Sequence, residues 1–283
     1  MRQSTLRRIA ASMNTAKGKS RVDLREPEIH EQWESIYLNP DLDRLYDQIF
    51  ERIVGILSPK PDQTLLDAGC GYCFHAVRLA KSGVQVTALD LSDAALQRAA
   101  ATIRRAGMED RIRLERGDLL ELPFSDGSFD YVHCWGVLMH VPRLEVALGE
   151  LIRVLKPGGK LVVMENNAHS LHVQGERLAR LAKRILRRPL NERTATPRGS
   201  EEWVGDGSSR LMLRIQDIDF LVRFCEEHGL RLVDRFAGQF TELYTQLPGR
   251  ALKRVVHRFN EFWFASVGRP KLAVGNILVF ERE

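Results

Sequence analysis

A regular alternation of short apolar runs with amphipathic helical stretches, from about residue 64 to residue 164, does most to restrict the folds open to this chain. Thr64–Ala68, Val84–Leu89, Ile112–Arg116, Phe129–Cys134 and Lys160–Met164 have the length and side chains of strands, and helical patterns fall between them near 74–82, 92–106 and 143–155. Strands separated by helices pair in parallel, because each return needs a crossover, and the crossovers cover both faces of the sheet. After about 166 the rhythm stops, for longer than an ordinary connection lasts. It resumes with a helix near 216–228, a strand over Leu230–Arg235 and a final strand over Leu272–Phe280. Ahead of the sheet, Glu28–Leu38 and Asp41–Leu57 read as helices, the second with Leu45, Ile49, Ile53 and Ile56 on one face and Pro59 and Pro61 as its stop. The expected organisation is a flexible basic tail over 1–25, a helical cap over 26–60 and an α/β domain over 61–283 with a lid insertion at about 167–215.

Charge separates the tail from the body. The formal net charge of +5 suggests a polyanion binder, but Arg2, Arg7, Arg8, Lys17, Lys19 and Arg21 lie in an acid-free start, and the remainder is close to neutral. No nucleic-acid partner is expected on that balance. Cys70, Cys73, Cys134 and Cys225 are too sparse for a secreted disulfide framework, so a reducing, cytoplasmic setting is expected. Leu6, Ile9, Ala10 and Met13 at helical spacing in the basic start keep a mitochondrial transit peptide as the alternative. No apolar run approaches the roughly 20 residues of a membrane span.

The chemistry is written at the strand ends. Leu65-Leu66-Asp67 runs into Ala68-Gly69-Cys70-Gly71-Tyr72-Cys73-Phe74, a glycine turn that opens a helix and lets a ligand approach the backbone. Phe74 stands where a dinucleotide fingerprint needs a small third residue, which disfavours a nicotinamide cofactor. About 23 residues after Asp67 the second strand ends at Asp90-Leu91-Ser92, an acid placed to accept ribose hydroxyls. The third ends Arg116-Gly117-Asp118-Leu119, the fourth follows Pro123-Phe124-Ser125-Asp126-Gly127-Ser128-Phe129-Asp130, and Leu155-Lys156-Pro157-Gly158-Gly159 precedes the fifth.

This ordered set, over about residues 60–166, resembles the class I S-adenosylmethionine-dependent methyltransferases, especially the subgroup of ubiquinone and menaquinone biosynthesis, with weaker similarity over 216–283. The resemblance implies a Rossmann-like, seven-stranded, mostly parallel α/β sheet with helices on both faces, a final antiparallel strand and a helical lid. It implies S-adenosyl-L-methionine as cofactor, with Asp67, Gly69, Cys70 and Gly71 along its methionine portion, Asp90 and Leu91 at the ribose, Asp118 and Leu119 at the adenine and Cys134 contributing backbone near the methionine amine. The acceptor it implies is a small or lipid-like molecule. An RNA or protein methyltransferase, or a cofactor-binding protein without catalysis, is the alternative.

Cys73 departs from the family's small third residue, and Cys70-x-x-Cys73 invites a zinc or thiol reading, although no metal is expected in a turn that holds the cofactor. His140 in Gly136-Val137-Leu138-Met139-His140-Val141 follows strand four at the ligand-binding edge and is the candidate general base; its bland role is closing the turn before Pro142. His133 lies nearer the strand interior. Glu165, Asn166 and Asn167 end strand five on the same edge, to orient a polar acceptor or simply to turn the chain. In the insertion, Leu178, Leu181, Ala182 and Ile185 form an apolar stripe opposite Arg177, Arg180, Arg184, Arg187 and Arg188. Such a helix can lie on an anionic membrane, bind an acidic substrate or pack its stripe inward beneath a solvated basic face. A second basic helix over 250–263 carries Leu252, Val255, Val256, Phe259, Phe262 and Trp263. Nothing in the sequence specifies an oligomeric state.

Overall fold

A computed structural model describes residues 40–186, 193–204 and 211–283. The expected tail, the Glu28–Leu38 helix and Arg187 and Arg188 lie outside the described residues. Helix α1 (Pro40–Leu57) buries Leu42, Leu45, Ile49 and Ile53 at helical spacing. There follow β1 (Thr64–Ala68), α2 (Phe74–Ala80), β2 (Gln85–Asp90), α3 (Asp93–Ala106), β3 (Ile112–Arg116), β4 (Phe129–Trp135), α4 (Leu144–Val154) and β5 (Leu155–Asn166). Helix α3 shows how local chemistry sets these bounds. The Ser92 hydroxyl accepts from the Ala95 N–H at 3.3 Å at its start, and Gly107 in the left-handed conformation ends it.

The second half contains α5 (Leu171–Ile185), β6 (Thr194–Thr196), β7 (Gly199–Val204), β8 (Leu211–Gln216), α6 (Ile218–Glu227), β9 (Leu230–Ala237), α7 (Arg250–Phe262) and β10 (Gly275–Arg282). The seven-stranded sheet has the order β3-β2-β1-β4-β5-β10-β9. Its β1–β2, β1–β4, β2–β3 and β4–β5 pairings are parallel. Strand β10 runs the other way. Asn167 N–H donates to Val274 O and Arg282 to Leu155 O at opposite ends of β5, while Gly238 N–H reaches Gly275 O and Glu283 N–H reaches Gly229 O at opposite ends of β9. The order turns back between β1 and β4, and in open α/β sheets that switch point, beyond the carboxyl ends of the strands, is where ligands bind.

The 167–215 stretch holds more than the expected helix: β6, β7 and β8 form a separate three-stranded antiparallel sheet. Strand five is also longer than its sequence signal, starting at Leu155 before the Pro-Gly-Gly run. The described residues divide into two compact units. A sheet unit comprises those up to Met164 with Val222–Asp234 and Leu278–Glu283; an accessory unit comprises Glu165–Leu221 and Arg235–Ile277. No helix among the described residues is long and apolar enough to cross a membrane.

Candidate functional site

The turn after β1 is held by its own backbone. Gly69 and Cys70 both donate N–H bonds to Leu89 O, at 2.8 and 2.9 Å, which ties the turn to the end of β2. Gly69 has a φ of 80°, and a Cβ there would come within 2.5 Å of Val137 Cγ2. No other residue fits. Gly71 also has positive φ, 51°, but a Cβ there would meet nothing within 4 Å. The glycine turn therefore faces packed protein at its first glycine and open space at its second.

Asp90 closes the other side. Its Oδ2 accepts from Gly71 N–H at 2.8 Å and its Oδ1 from Ser92 N–H at 2.9 Å. Two N–H bonds occupy two of roughly four acceptor positions and fix the plane of the carboxylate at the strand end. Leu91 is half-buried beside it. Gly117 N–H donates to Asp90 O at 3.1 Å, which brings the β3 loop alongside. There Asp118 is exposed with Oδ1 accepting from Leu120 N–H at 2.9 Å, and Leu119 is buried. Cys134 is fully buried in β4, paired in register with Val163 of β5. The predicted residues 67, 69–71, 90–91 and 118–119 thus converge on one sheet edge through backbone bonds.

His140 ends a short 3-10 turn, Leu138–His140, and its N–H bonds to Val137 O at 2.9 Å. The same Val137 side chain is what excludes a Cβ at Gly69, so the His140 turn packs against the start of the glycine turn. Cys73 adopts φ 62°, fully buried, and makes no side-chain cap for α2. A non-glycine residue there costs of the order of 1–2 kcal/mol. The hydrogen bond with Cys73, followed by burial, holds the Cys70 thiol well above the ordinary thiol range, the opposite of the thiolate a metal or redox role requires.

Sequence reasoning placed His133 in the strand interior and missed its partner. Parallel register sets Asp67 of β1 beside His133 of β4, and Asp67 Oδ1 lies 2.6 Å from His133 Nδ1 with both side chains buried. Among the described residues Asp67 Oδ2 and His133 Nε2 have no hydrogen-bond partner. Around this pair stand aromatic rings: His75 stacks on Phe50 at 4.8 Å between centroids, and Trp135 lies 4.9 Å from His75 and 5.8 Å from His133. Burial first, then the neighbouring His133 and Arg78, keeps the His75 imidazole far below its ordinary pKa and neutral. The signal was available in principle, since an acid and a histidine on adjacent parallel strands pair when their registers match.

A second polar cluster lies in the accessory unit. Thr241 Oγ1 accepts from Leu243 N–H and is hydrogen-bonded to His172 Nδ1 at 2.8 Å. Gln246 donates to Glu176 at 3.2 Å, and Asn166 to Glu242 at 3.5 Å. Burial, helped by the Glu176 charge and opposed by the Asn166 bond, pushes the Glu242 carboxyl up to about 7. Asn167 is structural: its side chain donates to Lys271 O at 3.0 Å and its Oδ1 accepts from His169 N–H.

Known proteins share this organisation. Residues 66–163 match the family described as a methyltransferase domain. The chain is 40% identical over 124 residues to 24-methylenesterol C-methyltransferase 2 of Oryza sativa subsp. japonica, covering 43% of this chain and 34% of that one. It is 32% identical over 150 residues to 27-O-demethylrifamycin SV methyltransferase of Amycolatopsis mediterranei, covering 51% and 55%. It thus spans about a third to a half of the length of these curated relatives. Among solved structures, geranyl diphosphate methyltransferase in complex with SAM superposes with a TM-score of 0.58 at 18% identity, over 92% of this chain and 93% of that one. At that identity the likeness shows the fold.

Proposed function

We propose that this chain, whose residues 66–163 match a methyltransferase domain and whose main sheet has seven strands, transfers the methyl group of S-adenosyl-L-methionine to a small, lipophilic acceptor. The observation that carries the reading is the locked turn: Gly71 N–H is fixed on Asp90 Oδ2, with open space where a Gly71 side chain would stand. The residues present fit the cofactor. Asp90, oriented by two N–H groups, would take the ribose hydroxyls, and Asp118 and the buried Leu119, in the loop after β3, the adenine. Asp67 Oδ2, buried just before the turn and without a partner among the described residues, is an acceptor suited to a cationic amine. Gly69, Cys70 and Gly71 supply the backbone wall for the methionine portion, with Leu91 and the Cys134 backbone beside it.

The cofactor supplies a sulfonium methyl group for in-line displacement. What the protein contributes is alignment, an effect of up to roughly 7–11 kcal/mol at its best. In this reading His140, in the turn after β4, takes a proton from an acceptor that must lose one. The lipophilic class of acceptor is supported by the names of the relatives, which act on a sterol and on a rifamycin.

Incubation with methyl-labelled cofactor and a panel of sterol, prenyl and polyketide acceptors tests this, with RNA and protein as counter-substrates. Label is expected in a lipophilic product, and His140→Ala is expected to lower the rate by about 10²–10⁴-fold with cofactor affinity unchanged. Label only in RNA or protein would refute the acceptor class. Rates unaltered by His140→Ala across pH 6–9 would make His140 a turn residue.

A further inference from the structure

Helix α5 is amphipathic, and it presents its polar row inward. His172 bonds to Thr241, Glu176 accepts from Gln246, and Arg180 lies 3.7 Å from the buried Glu202. The opposite row faces solvent, with Leu178 70% and Ile185 74% exposed and Leu181 between them. Of the three roles the sequence allows this helix, inward packing of the stripe is reversed: the inward side chains are held by polar partners, and Leu178, Leu181 and Ile185 stay exposed among the described residues.

Helix α7 repeats the arrangement. Its inward side chains hold the same 241–246 segment: Thr241 N–H donates to Asn260 Oδ1 at 3.1 Å, Asn260 Nδ2 donates to Thr241 O at 3.0 Å, and the His257 ring lies 4.4 Å from that of Tyr244. Val256 is buried with them, while Val255 is 66% and Phe262 56% exposed. Two apolar faces anchored from behind on one segment are more than the scattered hydrophobes a soluble surface normally shows.

Charge identifies the occupant. Each helix carries four basic residues against a single acid. An exposed arginine immediately precedes an exposed apolar residue on each: Arg177 before Leu178 and Arg258 before Phe259. We propose that the outward faces of α5 and α7 seat the accessory unit on an anionic lipid surface, apolar side chains entering the acyl boundary and guanidinium groups meeting lipid phosphates. A second copy of the chain would instead bring basic flanks against basic flanks. The proposal is independent of the acceptor's identity.

Sedimentation of the full chain with phosphatidylcholine vesicles, with and without phosphatidylserine, tests it. Binding is expected only with phosphatidylserine, falling as salt screens the surface charge. Leu178→Ser with Ile185→Ser, and separately Val255→Ser with Phe262→Ser, should each lower partitioning by about tenfold or more. Arg177→Gln with Arg258→Gln should weaken binding and flatten its salt dependence. Cofactor affinity, measured on the same samples, should be unchanged in every variant, which separates lost docking from lost folding; absent cofactor binding in the unaltered chain would count against the proposed function alone. No sedimentation at low ionic strength, or serine variants that bind like the unaltered chain, overturns the proposal. So does a dimer in light scattering that Val255→Ser with Phe262→Ser dissociates, which would give these faces to a second copy.

Discussion

Gly69 and Gly71 look alike in sequence and do different work. At Gly69 both a φ of 80° and the Val137 side chain 2.5 Å from a would-be Cβ exclude any other residue. Gly69→Ala is therefore expected to lose about 2–4 kcal/mol of stability, combining left-handed strain with overpacking, as read from urea denaturation. At Gly71 a methyl group would meet no protein atom, so Gly71→Ala should cost only the strain, about 1–2 kcal/mol, and show its main effect as weaker cofactor binding. Equal stability losses at the two positions would contradict this division. Cys73 bears similar strain in a buried position, and the sequence showed the departure without showing that its side chain turns into the core.

Among the elements, the 241–246 segment holds α5 and α7 through polar contacts, and its Glu242 carries a pH dependence. A folded-state value of about 7 against an ordinary 4.5 means that the folded protein binds the extra proton. The corresponding stability is fully present below about pH 4.5 and is lost as pH rises through 7. Glu242→Gln should abolish that loss, making the variant about 1–3 kcal/mol more stable than the unaltered chain at pH 8.5 relative to pH 5. Thermal melts across that range check it, and parallel pH curves for the two proteins would contradict it. Element periodicity explains what the sequence made legible. Strand Thr64–Ala68 was readable to the residue because it is a short, largely apolar run between turns, and Ile112–Arg116 because its apolar Ile112 and Leu114 alternate with charged residues. Strand β6, Thr194-Ala195-Thr196, has no apolar alternation, and the three-stranded sheet it joins went unread. For α5 the period was plain, but periodicity alone does not say which row turns inward. The partners that decide it, Thr241, Gln246 and Glu202, are distant in sequence.

At the scale of the whole molecule, the β-α alternation fixes the sheet order, the order fixes the switch point between β1 and β4, and the motif residues fall at that edge. The cofactor side was legible because it is written in consecutive residues at strand ends. The Asp67–His133 pair and the Glu242 cluster were not, because register and long-range packing assemble them. Calorimetric titration of S-adenosyl-L-methionine into the unaltered chain and into folded Asp90→Ala tests the central claim most directly. The carboxylate's charge-assisted bonds are worth about 1.5–3 kcal/mol each, so the account predicts clear binding to the first and at least about a tenfold weaker affinity for the second. Equal affinities in two folded proteins, or no binding to either, would contradict it.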